Sequence, residues 1–586
     1  MRPLAILAMM VAVVPVAAHG FSGLVVFGDN MADAGRQFAA TGGALPQSPP
    51  YFQGRWSNGL LWTERLAPKL GFAFNAADSF AAGVLVQGLT NQTQVSARLN
   101  YSPATLVAMW SGTNDYLGRV GVFPPAVLVP QVTGDIVNFL RGQISRGAST
   151  LLIANVFDLG RTPQGAASGQ GALLTTLAKS HNDALAGALR GLEAASGARI
   201  ITMDVAGLFN DIFAEPSRYG FTNTTSPRLN PTLAPTGACA TTAATDATLF
   251  FDGFHPTAAG QDIIADFAAA TLDQDANGAR TLVAASALAP RAADFVHDAI
   301  TSRDASVAEP DSPVGYAIVR RAWGRDDATT GRSGSSYRAA LVVAGVEQRL
   351  ADAWVVGGAA HVVHQTQRLD DGRGHNRHDA IGLSARLAYQ GDTVRFSMFV
   401  LKAWDDVDQA RATGFRPRSE ATAHSHGSST MIAVDAGIDL AASPSLMIGP
   451  IVGLRHVGAR RGAITERGAA MFDLAVGQTT DDAVVADASL IAARMIQLGI
   501  YKFKPRLRLS YSHGIQRFPF RVETTDRVGT VRRNQGNVGA RGRFELSAGL
   551  DAAVDTELTA TIEFARTLSR PDGRDQAVTG RLTYRF

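Results

Sequence analysis

The pattern of hydrophobic and polar positions changes once along this chain of 586 residues. From residue 23 to about 272, short apolar runs alternate with longer segments whose apolar residues recur at helical spacing. From Tyr316 to Phe586, apolar and polar residues alternate one by one. The first pattern predicts βαβ units around a parallel sheet, and the second predicts a series of antiparallel strands.

The first region is predicted to alternate strands and helices. The predicted strands are residues 24–27, 106–110, 151–155 and 200–203, and the predicted helices are residues 58–70, 127–145, 173–195 and 258–272. This order indicates an α/β domain with a flavodoxin-like, doubly wound parallel sheet. Ligands of such sheets bind at the carboxyl ends of the strands, where Asn30 and the turn after Trp110 are expected to lie.

The second region is predicted to form a transmembrane antiparallel β-barrel of about 12 strands. In residues 501–511, aromatic and apolar side chains take the odd positions, and cations or serine take the even ones. The same alternation recurs in residues 543–551 and 558–564 and in the last residues, which end on Phe586. An apolar face toward lipid and a polar face toward a lumen require this pattern. A soluble β-sandwich has a similar alternation and is the alternative.

A segment with a different residue pattern joins the two regions. Residues 273–278 are expected to end the last helix of the first domain. Residues 282–301 then form an Ala-rich helix that is interrupted at Pro290, and residues 302–313 form a polar linker.

The N-terminus has the features of a secretory signal peptide. Arg2 provides a positive charge, residues 4–16 are apolar, and Val16, Ala17 and Ala18 provide small residues for cleavage. A buried N-terminal helix is the alternative. The apolar run is too short to span a bilayer, and no other stretch has the 18 apolar residues of a transmembrane helix.

The composition limits which binding partners and cofactors are expected. The formal net charge is only +3 and no Lys/Arg block occurs, so a nucleic-acid partner is not expected. The single cysteine, Cys239, excludes an internal disulfide framework. The 12 histidines show no spacing typical of metal ligands, and His361 and His364 are expected on opposite faces of a strand. No metal or other cofactor is therefore predicted.

Short motifs follow one another in the first region. They read FGDNMADAG at residues 27–35, GRWSNG at 54–59, SFAAG at 79–83, SGTND at 111–115, FDLGRTP at 157–163 and DGFHPT at 252–257. In this order they resemble the conserved blocks of the GDSL (SGNH) esterase and lipase family. The family's first block reads roughly F-G-D-S-x-x-D-x-G, and its serine is the nucleophile. In this chain Asn30 occupies the place of that serine.

The resemblance implies a role for each remaining site residue. His255 would be the general base, and Asp252 would orient it and stabilise its charged form. The backbone N–H groups of Asn30 and Gly83 and the side-chain amide of Asn114 would form the oxyanion hole. Asn30 itself cannot act as a nucleophile, because imidazole does not deprotonate an amide and an amide forms no acyl-enzyme.

The missing serine leaves several hypotheses open. Ser79, Ser111 and Thr113 are the candidate replacement nucleophiles, and the alternative elbow motif G-x-S-x-G does not occur. Loss of a triad serine lowers turnover by about a millionfold. The sequence therefore predicts impaired ester hydrolysis. The alternatives are an active esterase that uses another nucleophile or a water activated by His255, and a non-catalytic surface module for lipid binding or adhesion.

The order of the regions resembles the esterase autotransporter subgroup of type V secretion. The resemblance implies a signal peptide at residues 1–18, a passenger at 19–272, a linker at 273–313 whose helix threads the barrel, and a barrel at 314–586. It implies a monomer in the outer membrane with its passenger on the cell surface, exported through the periplasm. The implied partners are an acyl ester or lipid, outer-membrane lipid and lipopolysaccharide, and the barrel-assembly machinery.

A helix inside the barrel would bring opposite charges together. In residues 282–301 the candidate carboxylates are Asp294 and Asp298. The predicted partners on the lumen face of the barrel are Arg506, Arg508 and Arg543.

Overall fold

The structure is a computed structural model. It describes residues 20–83, 88–97, 99–229, 247–302, 312–329, 331–351, 353–443, 446–499, 501–517, 520–536 and 542–586. The predicted signal peptide and most of the polar linker lie outside these ranges.

A parallel sheet forms the centre of the N-terminal domain. Its strands are β1 Gly23–Gly28, β2 Thr105–Trp110, β3 Thr150–Ala154 and β4 Arg199–Met203, paired in that order. A single parallel bridge joins Ser79 to Val26 on the free side of β1. With this segment counted as the second strand, the order across the sheet is the flavodoxin-like 2-1-3-4-5. The predicted parallel sheet is confirmed, and its order reverses at β1.

Helices cover both faces of this sheet and continue into the barrel. They are α1 Arg36–Ala40, α2 Trp62–Lys69, α3 Leu89–Val95, α4 Thr113–Arg119, α5 Pro125–Ser145, α6 Pro163–Ala167, α7 Gly171–Ser196, α8 Val205–Ala214, α9 Ala258–Ser286 and α10 Leu288–Thr301. The predicted helices correspond to α2, α5, α7 and the first half of α9, whereas α1, α3, α4, α6 and α8 were not predicted. Within the described ranges, no helix is both long enough and apolar enough to cross a membrane.

The C-terminal region consists of strands. They are β5 Val314–Asp326, β6 Ser335–Ala351, β7 Trp354–Leu369, β8 Gly374–Gln390, β9 Val394–Ala412, β10 Glu420–Ile438, β11 Leu440–Ser443, β12 Leu446–Arg461, β13 Ile464–Thr465, β14 Ala475–Val476, β15 Thr479–Arg494, β16 Ile496–Leu498, β17 Tyr501–Arg517, β18 Phe520–Thr525, β19 Val531–Gly536, β20 Arg543–Ala553, β21 Leu558–Ser569 and β22 Gly573–Arg585. Fourteen of them form one sheet, in which β11 and β16 are short extensions of a neighbouring hairpin. The other 12 close into an antiparallel barrel through the pairs β10–β12 and β22–β5. This strand number matches the prediction.

The barrel strands present opposite chemistry on their two faces. Large apolar side chains such as Tyr501, Leu507 and Leu509 are exposed on the outside, as the alternation in this strand predicted. In β21 and β22 the side chains that alternate with the exposed ones are buried on the lumen side, and many of them are polar. His361 is buried and His364 is exposed, so these two histidines lie on opposite faces as predicted.

The loops at one end of the barrel are much longer than those at the other. We call this end the passenger end, because its loops contact the N-terminal domain. The two longest loops form a small sheet in the order β13-β14-β18-β19. From these loops and the β9–β10 loop, Phe415, Met471 and Phe472 join the core cluster of the N-terminal domain. Phe267 of α9 contacts two of these rings, with centroids 5.7 Å from Phe415 and 5.2 Å from Phe472.

The joining segment differs from the sequence prediction. Residues 273–278 do not end the helix, since α9 continues through them to Ser286. Asn277 is held by Asp273, to which its side chain donates a hydrogen bond of 2.8 Å, and the buried Gly278 leaves room for Leu474. The break lies at Ala287 rather than at Pro290. Pro290 fits the first turn of α10, where a missing N–H removes no helical hydrogen bond.

Helix α10 packs inside the barrel. Phe295, Val296 and Ile300 share a core cluster with lumen-facing residues such as Leu341 and Phe399. The helix therefore fills part of the lumen.

The predicted ion pairs around α10 are partly correct. Asp298 lies 3.7 Å from Arg543, as predicted. Asp294 pairs instead with Arg455 at 3.1 Å. Arg506 donates to the Ser302 carbonyl oxygen at 2.8 Å, and Arg508 donates to Ser489 Oγ at 3.0 Å, so these two predicted pairings are wrong.

Candidate active site

The turn after β1 starts the candidate site. Gly28 has φ +122°, and a Cβ atom there would lie 1.9 Å from the Trp110 carbonyl oxygen, so only glycine fits. This close approach lets the Asp29 backbone N–H donate to the same oxygen at 2.8 Å. Asn30 therefore leaves the sheet at the point where the strand order reverses, which is where ligands of such sheets bind.

Two buried carboxyl groups shape this turn. Asp29 Oδ1 accepts the Met31 N–H at 3.0 Å, and burial, with a smaller contribution from the nearby Asp115, raises the pKa of Asp29 to about 7. Asp33 accepts the backbone N–H groups of Gly35 at 3.0 Å and Arg36 at 2.6 Å, at the start of α1. Burial raises the pKa of Asp33 to about 6 in spite of these donors.

Asn30 lies in a buried position beside the segment that contains Gly83. The Asn30 side chain is 5% exposed, and its Oδ1 has no hydrogen-bond partner among the described residues. The Ala82 N–H donates to the Gly28 carbonyl oxygen at 3.1 Å, so this segment follows the end of β1. At Gly83 a Cβ atom would lie 1.9 Å from Gln37 Oε1. The Gly83 N–H also interacts with the Asp33 carboxylate.

Asn114 lies in the first turn of α4, directly after β2. Gly112 makes this turn with φ +111°, and the Asn114 side chain is half-buried. His181 of α7 contacts this helix, because its Nδ1 is 2.7 Å from Oη of Tyr116 in α4. Burial lowers the pKa of His181 to about 3, so this histidine is neutral at physiological pH and has a supporting role.

Asp252 and His255 form a hydrogen-bonded pair on one short turn before α9. The Asp252 Oδ1 accepts the His255 backbone N–H at 2.8 Å, and Asp252 Oδ2 lies 2.6 Å from His255 Nδ1. Tyr51 donates to the same Oδ2 at 2.7 Å. Burial opposes ionisation of Asp252, but the hydrogen bonds from His255 and Tyr51 favour the carboxylate and hold the pKa of Asp252 below its usual range. The carboxylate thus fixes Nδ1 of the imidazole as the hydrogen-bond donor.

The other nitrogen of His255 is available for chemistry. His255 Nε2 is buried and has no hydrogen-bond partner among the described residues. The Trp56 ring stacks on the imidazole, with centroids 5.2 Å apart and planes at 23°. Trp56 Nε1 also donates to Gln37 Oε1 at 3.2 Å, the atom that lies beside Gly83. Trp56 and Gln37 therefore connect the base to the predicted oxyanion segment.

The predicted residues occupy one edge of the sheet, but some supporting residues were missed. Asn30, Gly83 and Asn114 follow β1, the Ser79 bridge and β2, and the Asp252–His255 pair forms as predicted. Tyr51, Gln37 and His181 were not predicted. The only signal for His181 was its place in the apolar stripe of α7, where it follows Leu174, Leu177 and Ala178 at helical spacing.

The candidate replacement nucleophiles are also buried. Ser79 Oγ and Thr113 Oγ1 have no hydrogen-bond partners among the described residues, and Ser111 is buried as well. His255 activates none of them through a direct hydrogen bond in this structure, because its Nε2 has no partner in the described part of the chain.

The fold and the site define a class: an SGNH-type α/β domain with an Asp-His pair, joined by a helix to a 12-stranded β-barrel. Family models agree with both halves. Residues 24–268 match the GDSL-like Lipase/Acylhydrolase model, and residues 317–565 match the Autotransporter beta-domain model. The chain therefore combines a GDSL-like lipase domain with an autotransporter β-domain. The autotransporter β-domain implies an outer-membrane barrel with the passenger at the cell surface.

Proteins with similar sequences match part of this chain. A phosphatidylcholine-sterol acyltransferase of Aeromonas hydrophila is 28% identical over 221 residues, which cover 35% of this chain and 64% of that protein. The thermolabile hemolysin of Vibrio parahaemolyticus is 28% identical over 267 residues, covering 42% of this chain and 62% of that protein. The chain thus spans less than two thirds of the length of either relative.

Among solved structures, the translocator domain of the autotransporter NalP from Neisseria meningitidis is similar to this chain. The match has a TM-score of 0.43 and 14% identity, and it covers 53% of this chain and 100% of that domain.

Proposed function

We propose that the passenger binds acyl esters at the carboxyl edge of its sheet and hydrolyses them very slowly, because Asn30 replaces the nucleophilic serine. One observation carries the proposal. The Asp252–His255 pair is assembled with a buried, unpartnered Nε2 among the described residues, while the residue in the nucleophile position has no hydroxyl. The base is present, and the group that it would activate is absent.

The remaining chemistry supports binding and weak catalysis. His255 Nε2 is positioned to accept a proton, and the N–H of Asn30 and the amide of Asn114 are the proposed donors to the substrate oxygen. Gly83 becomes a further donor only when its N–H leaves Asp33, so this part of the hole is expected to form when a ligand binds. Without an attacking serine, an oxyanion hole and binding retain roughly 10³–10⁴-fold catalysis over water.

The ligand class follows from the family and from one relative. The GDSL-like lipase domain favours a carboxylic ester. The name of the Aeromonas relative refers to phosphatidylcholine and a sterol, which favours an acyl ester of a membrane lipid. The proposed context of this activity is the bacterial surface.

We propose the domain boundaries, the export route and the membrane context together with this function. Residues 1–18 would be removed during export through the periplasm, residues 19–272 would form the passenger, residues 273–313 the linker, and residues 314–586 the barrel. The barrel-assembly machinery would insert a monomer, whose apolar outer face would contact outer-membrane lipid and lipopolysaccharide.

Restoring the hydroxyl tests the function. Full-length protein in detergent micelles would be assayed with p-nitrophenyl esters of several acyl lengths, as the given form, as Asn30→Ser and as Asn30→Ser with His255→Ala. We expect Asn30→Ser to raise kcat by at least about 10³-fold, and the double variant to lose this gain. Asn30→Ala is the matched control for the change in size and should stay at the level of the given form.

A covalent probe gives a second measurement. A fluorophosphonate should label residue 30 in Asn30→Ser and leave the given form unlabelled, as intact-mass analysis would show. Equal turnover by the given form and Asn30→Ser, abolished in both by His255→Ala, would overturn the proposal. Ser79, Ser111 and Thr113 would then be replaced in turn.

A further inference from the structure

Histidine and aspartate side chains cluster on the outer face of the barrel. His424 and His426 lie two residues apart on β10, so their side chains point to the same face. Asp408 and Asp406 lie directly opposite them on β9. We call these four residues the rim cluster.

The rim cluster has the dimensions of a metal site. His424 Nδ1 is 2.7 Å from Asp408 Oδ1, and His426 Nδ1 is 2.5 Å from Asp406 Oδ1. The two imidazole centroids are 4.6 Å apart. One ligand atom each from Asp406, His424 and His426 lie within 4.8 Å of one another. Rotation of these exposed side chains would bring the three atoms to bonds of about 2.0–2.2 Å around one ion.

The neighbouring strand adds negative charge to the same face. Asp379 of β8 lies directly opposite Asp406 in the barrel register. Like charges that face each other across strands destabilise a sheet. His364 compensates Asp379, to which its Nδ1 lies at 2.6 Å. Arg377 Nε also donates to Asp379 Oδ2 at 2.8 Å, so Asp379 has cations of its own and Asp406 is left to its pair with His426.

The position of the rim cluster leaves it accessible to ions. On β9, exposed Met398 and Trp404 mark the apolar outer face, and Asp406 follows two residues after Trp404 in the direction of the passenger end. The cluster residues are exposed. They therefore lie beyond the apolar band, at the level of lipid headgroups and water.

We propose that Asp406, His424 and His426 bind one divalent transition-metal ion of the zinc class, with Asp408 orienting His424. Two imidazole nitrogens and one carboxylate oxygen suit Zn²⁺ or Cu²⁺, whereas Mg²⁺ and Ca²⁺ prefer oxygen ligands alone. Three protein ligands leave a coordination position open to water or to an anionic group such as a phosphate. The ion would replace the His426–Asp406 hydrogen bond, whereas the His424–Asp408 hydrogen bond would remain and hold the His424 ring in place.

Metal titration tests this site without reference to the esterase domain. Full-length protein purified without a histidine tag, in detergent micelles and freed of metal by chelation, would be titrated with Zn²⁺ by calorimetry. We expect one ion per protein, and a loss of affinity of at least about 10-fold in His424→Gln with His426→Gln. His364→Gln is the matched control, because it removes an exposed histidine from a neighbouring His-Asp pair, and it should bind as the unaltered protein does.

Cu²⁺ provides the structural readout. Electron paramagnetic resonance of the Cu²⁺-loaded protein should show coupling to two imidazole nitrogens, and this coupling should vanish in the double variant. Circular dichroism would verify that the double variant keeps its barrel. Undiminished Zn²⁺ binding by the folded double variant, an equal loss in His364→Gln, or no binding at all would overturn the proposal and leave the cluster as paired charges.

Discussion

At the scale of single residues, buried carboxyl groups make the nucleophile turn sensitive to pH. Asp29 and Asp33 flank Asn30, and burial raises the pKa values of these two groups to about 7 and about 6. Their ordinary value is 3.8. The folded passenger therefore holds protons that the unfolded chain releases between about pH 4 and pH 7. Stability is greatest at low pH in this window and falls as pH rises through the folded-state pKa values.

Replacing Asp29 with asparagine should remove most of this dependence. The raised pKa costs on the order of 2–4 kcal/mol of passenger stability by pH 8, because folding must keep the group protonated or bury its charge. In Asp29→Asn we expect the unfolding free energy to fall less steeply between pH 4 and pH 7, with the remaining slope due to Asp33. Denaturant titrations of the passenger at several pH values would measure it. The exposed Asp183→Asn is the control, and an unchanged slope in Asp29→Asn would contradict the assignment.

The sequence identified those site residues whose roles depend on local spacing. Asp252 and His255 are three residues apart on one turn, so their contact follows from the motif itself. Tyr51 contacts Asp252 from 201 residues away, and Tyr116 contacts His181 from 65 residues away. One sequence contains no signal for such distant pairs, since they are fixed only when the sheet and helices pack.

At the scale of elements, strands were easier to predict than helix ends. The buried strands β1 to β4 are continuous apolar runs, and each observed boundary lies close to the predicted one. The end of α9 was missed, because Asn277 and Gly278 resemble a local stop signal. Packing of Gly278 beside Leu474 of a barrel loop keeps the helix continuous, and this tertiary contact is absent from the local pattern.

The close approach of β1 and β2 predicts a large effect at Gly28. Gly28→Ala places a Cβ atom 1.9 Å from the Trp110 carbonyl oxygen and strains a φ of +122°. Both conflicts involve backbone, which relaxes little, so we expect a loss of at least about 3 kcal/mol of passenger stability. Gly191→Ala, at an exposed position within α7 with open space around it, should stabilise by about 0.5–1 kcal/mol. Calorimetric melting of the passenger measures both variants, and equal melting temperatures would contradict this account.

At the scale of the whole molecule, the passenger and the barrel form one assembly. The hydrophobic pattern predicts the two-part organisation of the chain. It contains no signal for the docking of the passenger on the barrel. Arg418 of a barrel loop pairs with Asp211 of the passenger at 2.6 Å and also contacts Glu215. Aromatic residues from the same loops complete the passenger core. A passenger that shares its core and its last helix with the barrel is expected to stay attached to it.

Substitution of Arg532 tests this docking, and substitution of the adjacent Arg533 is the control. Its guanidinium contacts Glu193 and Asp275 at 2.7 Å each and donates to the Ile200 carbonyl oxygen at 2.8 Å. Arg532→Ala leaves two partly buried carboxylates and one carbonyl oxygen without this donor, so the β18–β19 hairpin should separate from the edge of the passenger sheet more often.

Hydrogen exchange measures that separation. We expect amide exchange in β18, β19 and β4 to accelerate several-fold in Arg532→Ala, because separation exposes these backbone groups to water. Arg533 is the next residue, but it is exposed and pairs with Glu523 inside the hairpin, so Arg533→Ala should exchange as the unaltered protein does. Equal acceleration in both variants would show that the hairpin is held by its own contacts and that Arg532 does not dock it to the passenger.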